Sequence, residues 1–261
     1  MTTILNSDFF KLWRNIGFRL LPIATIICTV VTACFMLFVQ SGATVEGEVF
    51  TAVDVFGFIP VGSLGAYALT TISNLYGFIV VVFSGLFIST EFAQGTIRNA
   101  LCAGASRSKV YLSKLAVNAV MLILCMSVST LTFIASFTAL YGFGDPAGFI
   151  TNTVLVLGMQ VLYHLVYAAI GCLLAFLVPN IAFSVGVGLV FVGLQGVLVE
   201  ICSAFDVLNP LAPFIPHYYI MRLTENFHDA AFLAHGAAVS IIFVLATVVI
   251  GCLLFKRQDI K

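Results

Sequence analysis

Charge is what this sequence has least of. Only 8% of its 261 residues are Asp, Glu, Lys or Arg, against about a quarter in an ordinary soluble domain, while 61% are hydrophobic and the mean hydropathy is +1.15. A water-soluble globular fold is excluded, and an integral membrane protein is expected. Basic and acidic residues cancel at eleven each, so no basic excess exists to hold nucleic acid. No glycine is followed by lysine; a GxxxxGK[ST] phosphate loop is therefore impossible and the chain cannot bind ATP by that route. HExxH, GxSxG, a paired-carboxylate motif and a two-histidine metal spacing are missing too, so neither an enzyme nor a resident cofactor or metal is expected. The seven cysteines fall singly, without CxxC or Cys/His spacing. Cys28, Cys34, Cys125, Cys172, Cys202 and Cys252 read as small buried hydrophobes in or at the ends of apolar runs, and Cys102 alone lies in a polar stretch.

What remains is apolar and long. Six runs can cross the roughly 30 Å hydrocarbon core: residues 20–39, 67–89, 107–141, 149–178, 182–201 and 237–255. They use roughly half the chain or more at about 20 to 25 residues each, leaving one all-α transmembrane domain, residues 1–261. The third run would make a helix more than about 50 Å long if it starts at Arg107, so its first turns project beyond the membrane. Residues 31–34 loosely imitate a lipoprotein cleavage box, but the apolar run continues through residue 39 and cleavage is not expected. Residues 8–19 mix Phe9, Leu12, Trp13 and Ile16 with Lys11, Arg14 and Arg19, the composition of an interfacial helix or of a basic flank that orients the first span. Pro210, Pro213 and Pro216 cut residues 208–220 into pieces too short to cross, which predicts a re-entrant or interfacial external segment before the last span.

Sidedness follows from the basic residues. With these spans, Lys11, Arg14, Arg19, Arg98, Arg107, Lys109, Lys114, Lys256, Arg257 and Lys261 fall on one side and Arg222 alone on the other. The positive-inside rule makes the first side cytoplasmic, with both termini inside. Residues 41–65 and the turn at 142–148 then lie outside.

Few polar groups occupy the spans. Asn74 lies in the outer half of the second; Gln160, His164, Tyr167 and Gly171 form one stripe on the fourth at i, i+4, i+7 and i+11. Gln195 shares a face of the fifth span with Ser184 and Gly188, and Glu200 closes it. Asn74, Gln160, His164, Tyr167, Gln195 and Glu200 are the candidates for lining a pathway, since a polar group at membrane depth is expensive. Packing between helices explains the same residues, and a neutral His164 bonded to a neighbouring helix is the simpler expectation. The glycines of the fifth span mark a central or intersubunit contact. His217, His228 and His235 fall in the last external segment and are expected to be solvated or interfacial.

One stretch does not fit a run of spans. Residues 90–114, TEFAQGTIRNALCAGASRSKVYLSK, are polar and basic between two apolar runs. As a helix, Glu91, Gln94, Gly95, Arg98 and Cys102 fall near one side and Ala93, Ile97, Ala100 and Leu101 on the other; Gly104 breaks the pattern and Ser106 is a cap for a restart at Arg107. Glu91, Gly95-Thr96, Arg98, Leu101, Gly104, Ser106-Arg107, Tyr111 and Lys114 resemble the signature of the ABC type-2 permease family, the membrane subunits of ATP-driven exporters, and the six-span layout extends the likeness over nearly the whole chain. A basic cytoplasmic loop satisfying the positive-inside rule is the plainer account of the same charge.

The resemblance implies a coupling helix between spans 2 and 3 that docks on a separate ATP-binding subunit, with Glu91, Gly95, Thr96, Arg98, Leu101, Gly104, Ser106 and Arg107 as the coupling residues. It implies ATP and magnesium bound by that partner, a second permease subunit, identical or paralogous, and a location in the plasma membrane. The apolar, aromatic-rich walls favour an amphipathic or hydrophobic cargo such as an antimicrobial peptide, a lipid-like compound or a drug. Two other functions stay open: an ion-gradient-driven carrier using His164 or Glu200, and a non-transport assembly or sensor subunit that uses the elbow only for docking.

Overall fold

A computed structural model describes residues 2–14, 16–40, 44–45, 48–49, 73–141 and 149–258. These residues are helical apart from short connectors and a two-residue ladder in which β1 (Thr44–Val45) pairs antiparallel with β2 (Glu48–Val49). The helices are α1 (Thr2–Arg14), α2 (Ile16–Gln40), α3 (Ser73–Ala93), α4 (Thr96–Cys102), α5 (Arg107–Tyr141), α6 (Phe149–Leu177), α7 (Ile181–Ala204), α8 (Pro216–Asn226) and α9 (Ala230–Arg257), with a 3₁₀ turn at Asn209–Phe214 before α8. The remainder of the predicted outer loop at 41–65, the first residues of the second span and the turn at 142–148 lie outside the described residues.

Among the described residues, five helices carry stretches long and apolar enough to cross a membrane: Leu75–Ala93, Arg107–Ser136, Ile150–Leu177, Ile181–Ala204 and Ala230–Arg257. The protein is an all-α, membrane-embedded chain. The predicted first span sits in α2, which meets α1 at 54° so that Ser7–Arg14 and Arg19–Val31 form a bent pair rather than a straight crossing. Arg19 Nε donates to the Trp13 carbonyl (3.0 Å) across that corner.

The hub is α6, which packs against α3, α5, α7, α8 and α9. Its apolar surface runs all the way round, with Val156, Tyr163, Val166, Ala168, Cys172 and Phe176 buried, as expected of a helix with neighbours on every side. The three-residue break before α7, Val178 to Asn180, leaves no room for anything but an antiparallel return. Asn180 caps the new helix, its side chain accepting from Phe183 N (3.1 Å).

Small residues set how closely the helices approach. A Cβ at Gly251 of α9 would lie 2.3 Å from the Tyr111 hydroxyl of α5, and one at Gly236 would lie 2.6 Å from the Tyr163 hydroxyl and 2.6 Å from a ring carbon of Tyr219. On α7 it is Gly188 that allows contact with Val81 of α3, whereas a Cβ at Gly186 or Gly193 would meet nothing within 4 Å among the described residues. The predicted small-residue contact on the fifth span is thus made inside the molecule by Ser184, Gly188 and Gln195, because these share the face turned to α3 and α6. The opposite faces of α7 and α9 are apolar and exposed, as lipid contact requires.

Two expectations change. Cys28 and Cys34 are exposed on the outward side of α2 rather than buried. Trp13 and Ile16 also point outward, while Asp8 and Leu12, four residues apart, turn toward the body of the protein.

Candidate functional site

The polar stretch folds as a helix end, a corner, a short helix and a second corner. Helix α3 stops at Ala93, and Gly95 takes φ 68°, a left-handed conformation that glycine adopts without a Cβ clash. The chain re-enters a helix at Thr96, whose hydroxyl donates to the Glu91 carbonyl (3.0 Å) and pins the turn. Helix α4 ends on Gly104 at φ 90°, with Gly104 N bonded to Leu101 O (3.0 Å) and Ala105 N to Ala100 O (3.1 Å), the paired bonds of a Schellman stop. Ser106 occupies the predicted cap position of α5, its carbonyl accepting from Val110 N (3.1 Å). The sequence reading placed Glu91 on the same surface helix as Arg98. Glu91 instead belongs to the last turn of α3, because Gly95 breaks the helix between them.

Glu91 is only 5% exposed. A carboxylate in the last turn of a helix opposes the helix dipole, and here two cations offset it. Lys114 Nζ of α5 lies 2.5 Å from Glu91 Oε2 and 2.6 Å from Asp8 Oδ1 of α1; Lys11 Nζ lies 3.3 Å from Glu91 Oε1. Ser113 Oγ donates to the other Asp8 oxygen (2.5 Å). Lys114 also stands 5.2 Å from the centre of the Phe87 ring. Two acids and two bases thus neutralise one another across α1, α3 and α5. Their side chains form one side of a cleft of about 450 Å³, walled by Ile97, Ala100, Ala103, Gly104, Ala105 and Val110 and rimmed by Ser7, Ser106 and Lys109.

Arg107 is turned elsewhere. Its guanidinium donates to the carbonyls of Phe255 (2.8 Å), Lys256 (3.3 Å) and Gln258, closing the C-terminal end of α9, where a cation is favoured. These contacts gather α1, the elbow, the start of α5 and the end of α9 at one basic end of the molecule. Of the eight candidate coupling residues, Arg98 and Ser106 are exposed there, together with Asn99, Cys102 and Lys109. Gly104 is exposed at the corner, Gly95, Thr96, Leu101 and Arg107 are half-buried, and Glu91 is buried.

A second polar group lies in the interior. Gln160, His164 and Tyr167 share the buried stripe on α6; Gln160 Nε2 donates to the Ile220 carbonyl (3.4 Å) and His164 Nδ1–H to the Gln160 carbonyl (2.7 Å). The Tyr167 hydroxyl is 2.7 Å from His217 Nδ1 on α8, and Tyr76 of α3 meets His164 edge-on with ring centres 6.0 Å apart. Gly196 of α7, next to the buried Gln195, brings its Cβ position to 3.4 Å from His217 Nε2. Gln160 Oε1, Gln195 Oε1 and the Tyr163 hydroxyl are buried with no hydrogen-bond partner among the described residues.

A family model for a protein of unknown function, DUF2705, matches residues 26–261. The chain belongs to the DUF2705 family. No curated protein and no solved structure shows significant similarity to it. The matched region of this DUF2705 protein takes in Glu91, Lys114 and the interior polar residues; it begins after Asp8 and Lys11.

In the DUF2705 protein, then, three of the six pathway candidates stand together on α6, and Gln195 is buried on α7 beside the glycine that meets His217. Glu200 is exposed on α7 and takes no part, and the Asn74 side chain lies outside the described residues. His217 and Asp8 are the residues that sequence reasoning missed. The signal for Asp8 was present: it is the only acidic residue before Glu46, set among Lys11, Arg14 and Arg19. His217 was expected to be solvated or interfacial, but Pro216 starts a helix there and turns the imidazole onto α6, leaving it 5% exposed; His228 and His235 are exposed as expected.

Burial, with a smaller effect from His164, pushes the His217 pKa down from 6.5 to about 4. The fold holds this ring neutral, whereas the unfolded chain protonates it below about 6.5. The resulting stability is complete above pH 6.5, falls between 6.5 and 4, and levels off below 4. Thermal unfolding in detergent should lose about 3 kcal/mol over that window on this account, and His217→Gln should remove that part of the pH dependence. An unchanged profile in the variant would show that other groups carry the acid sensitivity.

Proposed function

We propose that this protein is the membrane permease subunit of an ATP-binding-cassette exporter. The observation that supports the reading most directly is the elbow: two left-handed glycines, Gly95 and Gly104, fold residues 94–106 into a corner–helix–corner unit. The unit buries Ile97 and presents Arg98, Asn99 and Cys102 outward at the basic end of the bundle. A short helix held rigidly between two membrane helices is suited to receive a push from outside and to pass it to both. Counting the bent α1–α2 pair, the layout allows six spans, with the basic end in the cytoplasm by the positive-inside rule. The chain has no phosphate loop of its own, so a separate ATPase subunit with ATP and magnesium supplies the energy. A second permease subunit, identical or paralogous, completes the pathway across the plasma membrane. The apolar, aromatic interior favours an amphipathic or hydrophobic cargo: an antimicrobial peptide, a lipid-like compound or a drug.

The docking surface is the exposed face of α4, so the informative change is Arg98→Glu. Co-expressed with a candidate ATP-binding-cassette ATPase from the same organism, the wild-type chain should co-purify with that ATPase and show ATP-dependent export in proteoliposomes. Arg98→Glu should weaken the association about tenfold or more, a usual effect of reversing an interfacial charge, and leave the yield of folded permease unchanged. Equal association of wild type and variant removes the docking role. Flux that persists without any ATPase supports a gradient-driven carrier, and a stable complex without flux supports an assembly or sensor subunit.

A further inference from the structure

Among the described residues, helix α1 is held to the rest of the molecule by an apolar contact at Leu12 and Phe9 and by charge. It packs on α5 and α2, with Leu12 buried and Phe9 half-buried against the bundle, while Phe10 and Trp13 are each 63% exposed on its other side. Its remaining hold is electrostatic: Asp8 to Lys114 and Ser113, and Lys11 to Glu91. Asp8, Glu91 and Lys114 are each at most 5% exposed, so docking α1 strips water from three charges and replaces it with their mutual attraction. These two terms are large and opposed, so the charges contribute far less to docking than either term alone. It is also a wall of the elbow cleft, to which it contributes Ser7, Asp8 and Lys11.

We infer that Asp8, Lys11, Glu91 and Lys114 form a charge latch, and that α1 is a strap whose release opens the cleft beside the elbow. Undocking hydrates the carboxylates and the lysine. It also frees Leu12 and Phe9 to join Phe10 and Trp13 in the membrane interface, where an amphipathic helix is stable. The strap and the elbow share Glu91, so whatever binds the elbow and shifts this residue changes how tightly α1 is held, and the reverse holds with the same coupling. This regulatory role rests on the docking reading above; the latch itself does not.

The test is amide hydrogen exchange, followed by mass spectrometry, on the intact permease in nanodiscs without any ATPase. The wild type should show α1 amides that exchange faster than those of α3 and α6, and faster still, by about threefold, when salt rises from roughly 0.05 to 0.5 M, because salt favours separated charges. Asp8→Asn keeps the Glu91–Lys114 pair and should fold; it should raise α1 exchange about tenfold and leave α3 and α6 unchanged. The variant combining Asp8→Asn, Glu91→Gln and Lys114→Met removes the three buried charges, leaving only the part-exposed Lys11, and should keep α1 docked through Leu12 and Phe9 with little salt response, whereas Asp8→Asn alone should not. The latch is overturned if Asp8→Asn leaves α1 exchange at the wild-type rate, or if α1 opens only together with the spans. A second arm adds the co-expressed ATPase. Its binding should alter α1 exchange in the wild type, and failure to bind counts against docking while the first arm still judges the latch.

Discussion

Lys114→Met should destabilise the basic end of the protein by about 3–5 kcal/mol, the usual result of removing one partner from a buried ion pair. The magnitude comes from what is left behind. Asp8 and Glu91 lose the ammonium that stands 2.6 Å and 2.5 Å from their oxygens; Ser113 still donates to Asp8, and Lys11, 39% exposed, still reaches Glu91. A half-exposed lysine contributes roughly 0–1 kcal/mol, too little to replace the lost pair. The protein sheds the cost by opening locally, so the change should be read in the exchange of α1 and of residues 92–106 before any change in the melting of the bundle. Adding Asp8→Asn and Glu91→Gln should recover most of the loss, since neutralising a whole buried network is often close to neutral. A single variant as stable at the basic end as wild type would show that the lysine is hydrated rather than buried.

The second large effect is expected at Gly251. A side chain there points into Tyr111, whose hydroxyl, Cζ and Cε2 would lie 2.3, 2.4 and 2.7 Å from a Cβ. Tyr111 cannot step aside: it is fully buried and its ring centre is 4.9 Å from that of Phe176, which in turn stands 4.7 Å from Phe255. Gly251→Val must therefore push α9 away from α5, and overpacking of this kind costs about 1–3 kcal/mol or more. The displaced α9 also carries the carbonyls that receive Arg107. Gly251→Val should thus lower the thermal midpoint in detergent and raise exchange at residues 255–258, whereas Gly193→Val, where nothing lies within 4 Å, should change neither. Equal effects at the two glycines would mean that helix propensity, not the α5–α9 contact, sets the outcome.

The elbow was legible because glycine and charge are local signals. Gly104 interrupts the helical pattern where the backbone turns left-handed, and Ser106 stands one residue before α5; the break at Gly95 was read through as helix, since a single glycine is tolerated inside one. Arg107 was legible as a basic residue on the right segment and illegible as a cap for α9, since its acceptors lie 148 to 151 residues away in the chain. The same distance hid the latch. Asp8 and Lys114 are separated by 106 residues, and nothing in the pattern around either says that the other will meet it. The stripe Gln160, His164 and Tyr167 was visible from helical spacing alone, but its neighbour His217 was placed in solvent or at the interface because a short proline-broken segment does not announce which way its first turn will face.

Taken alone, the amino-acid sequence determined the solvent this chain lives in, the helical class of nearly every segment and the location of its one polar elbow. Hydropathy, periodicity and glycine act over a few residues and need no partner to be read. Tertiary structure alone decided which charges are buried, which glycines are seams rather than lipid contacts, and that α1 is strapped to the elbow instead of continuing straight into α2. Those outcomes depend on pairs far apart in the chain. Their energies exist only once packing has removed the water between them.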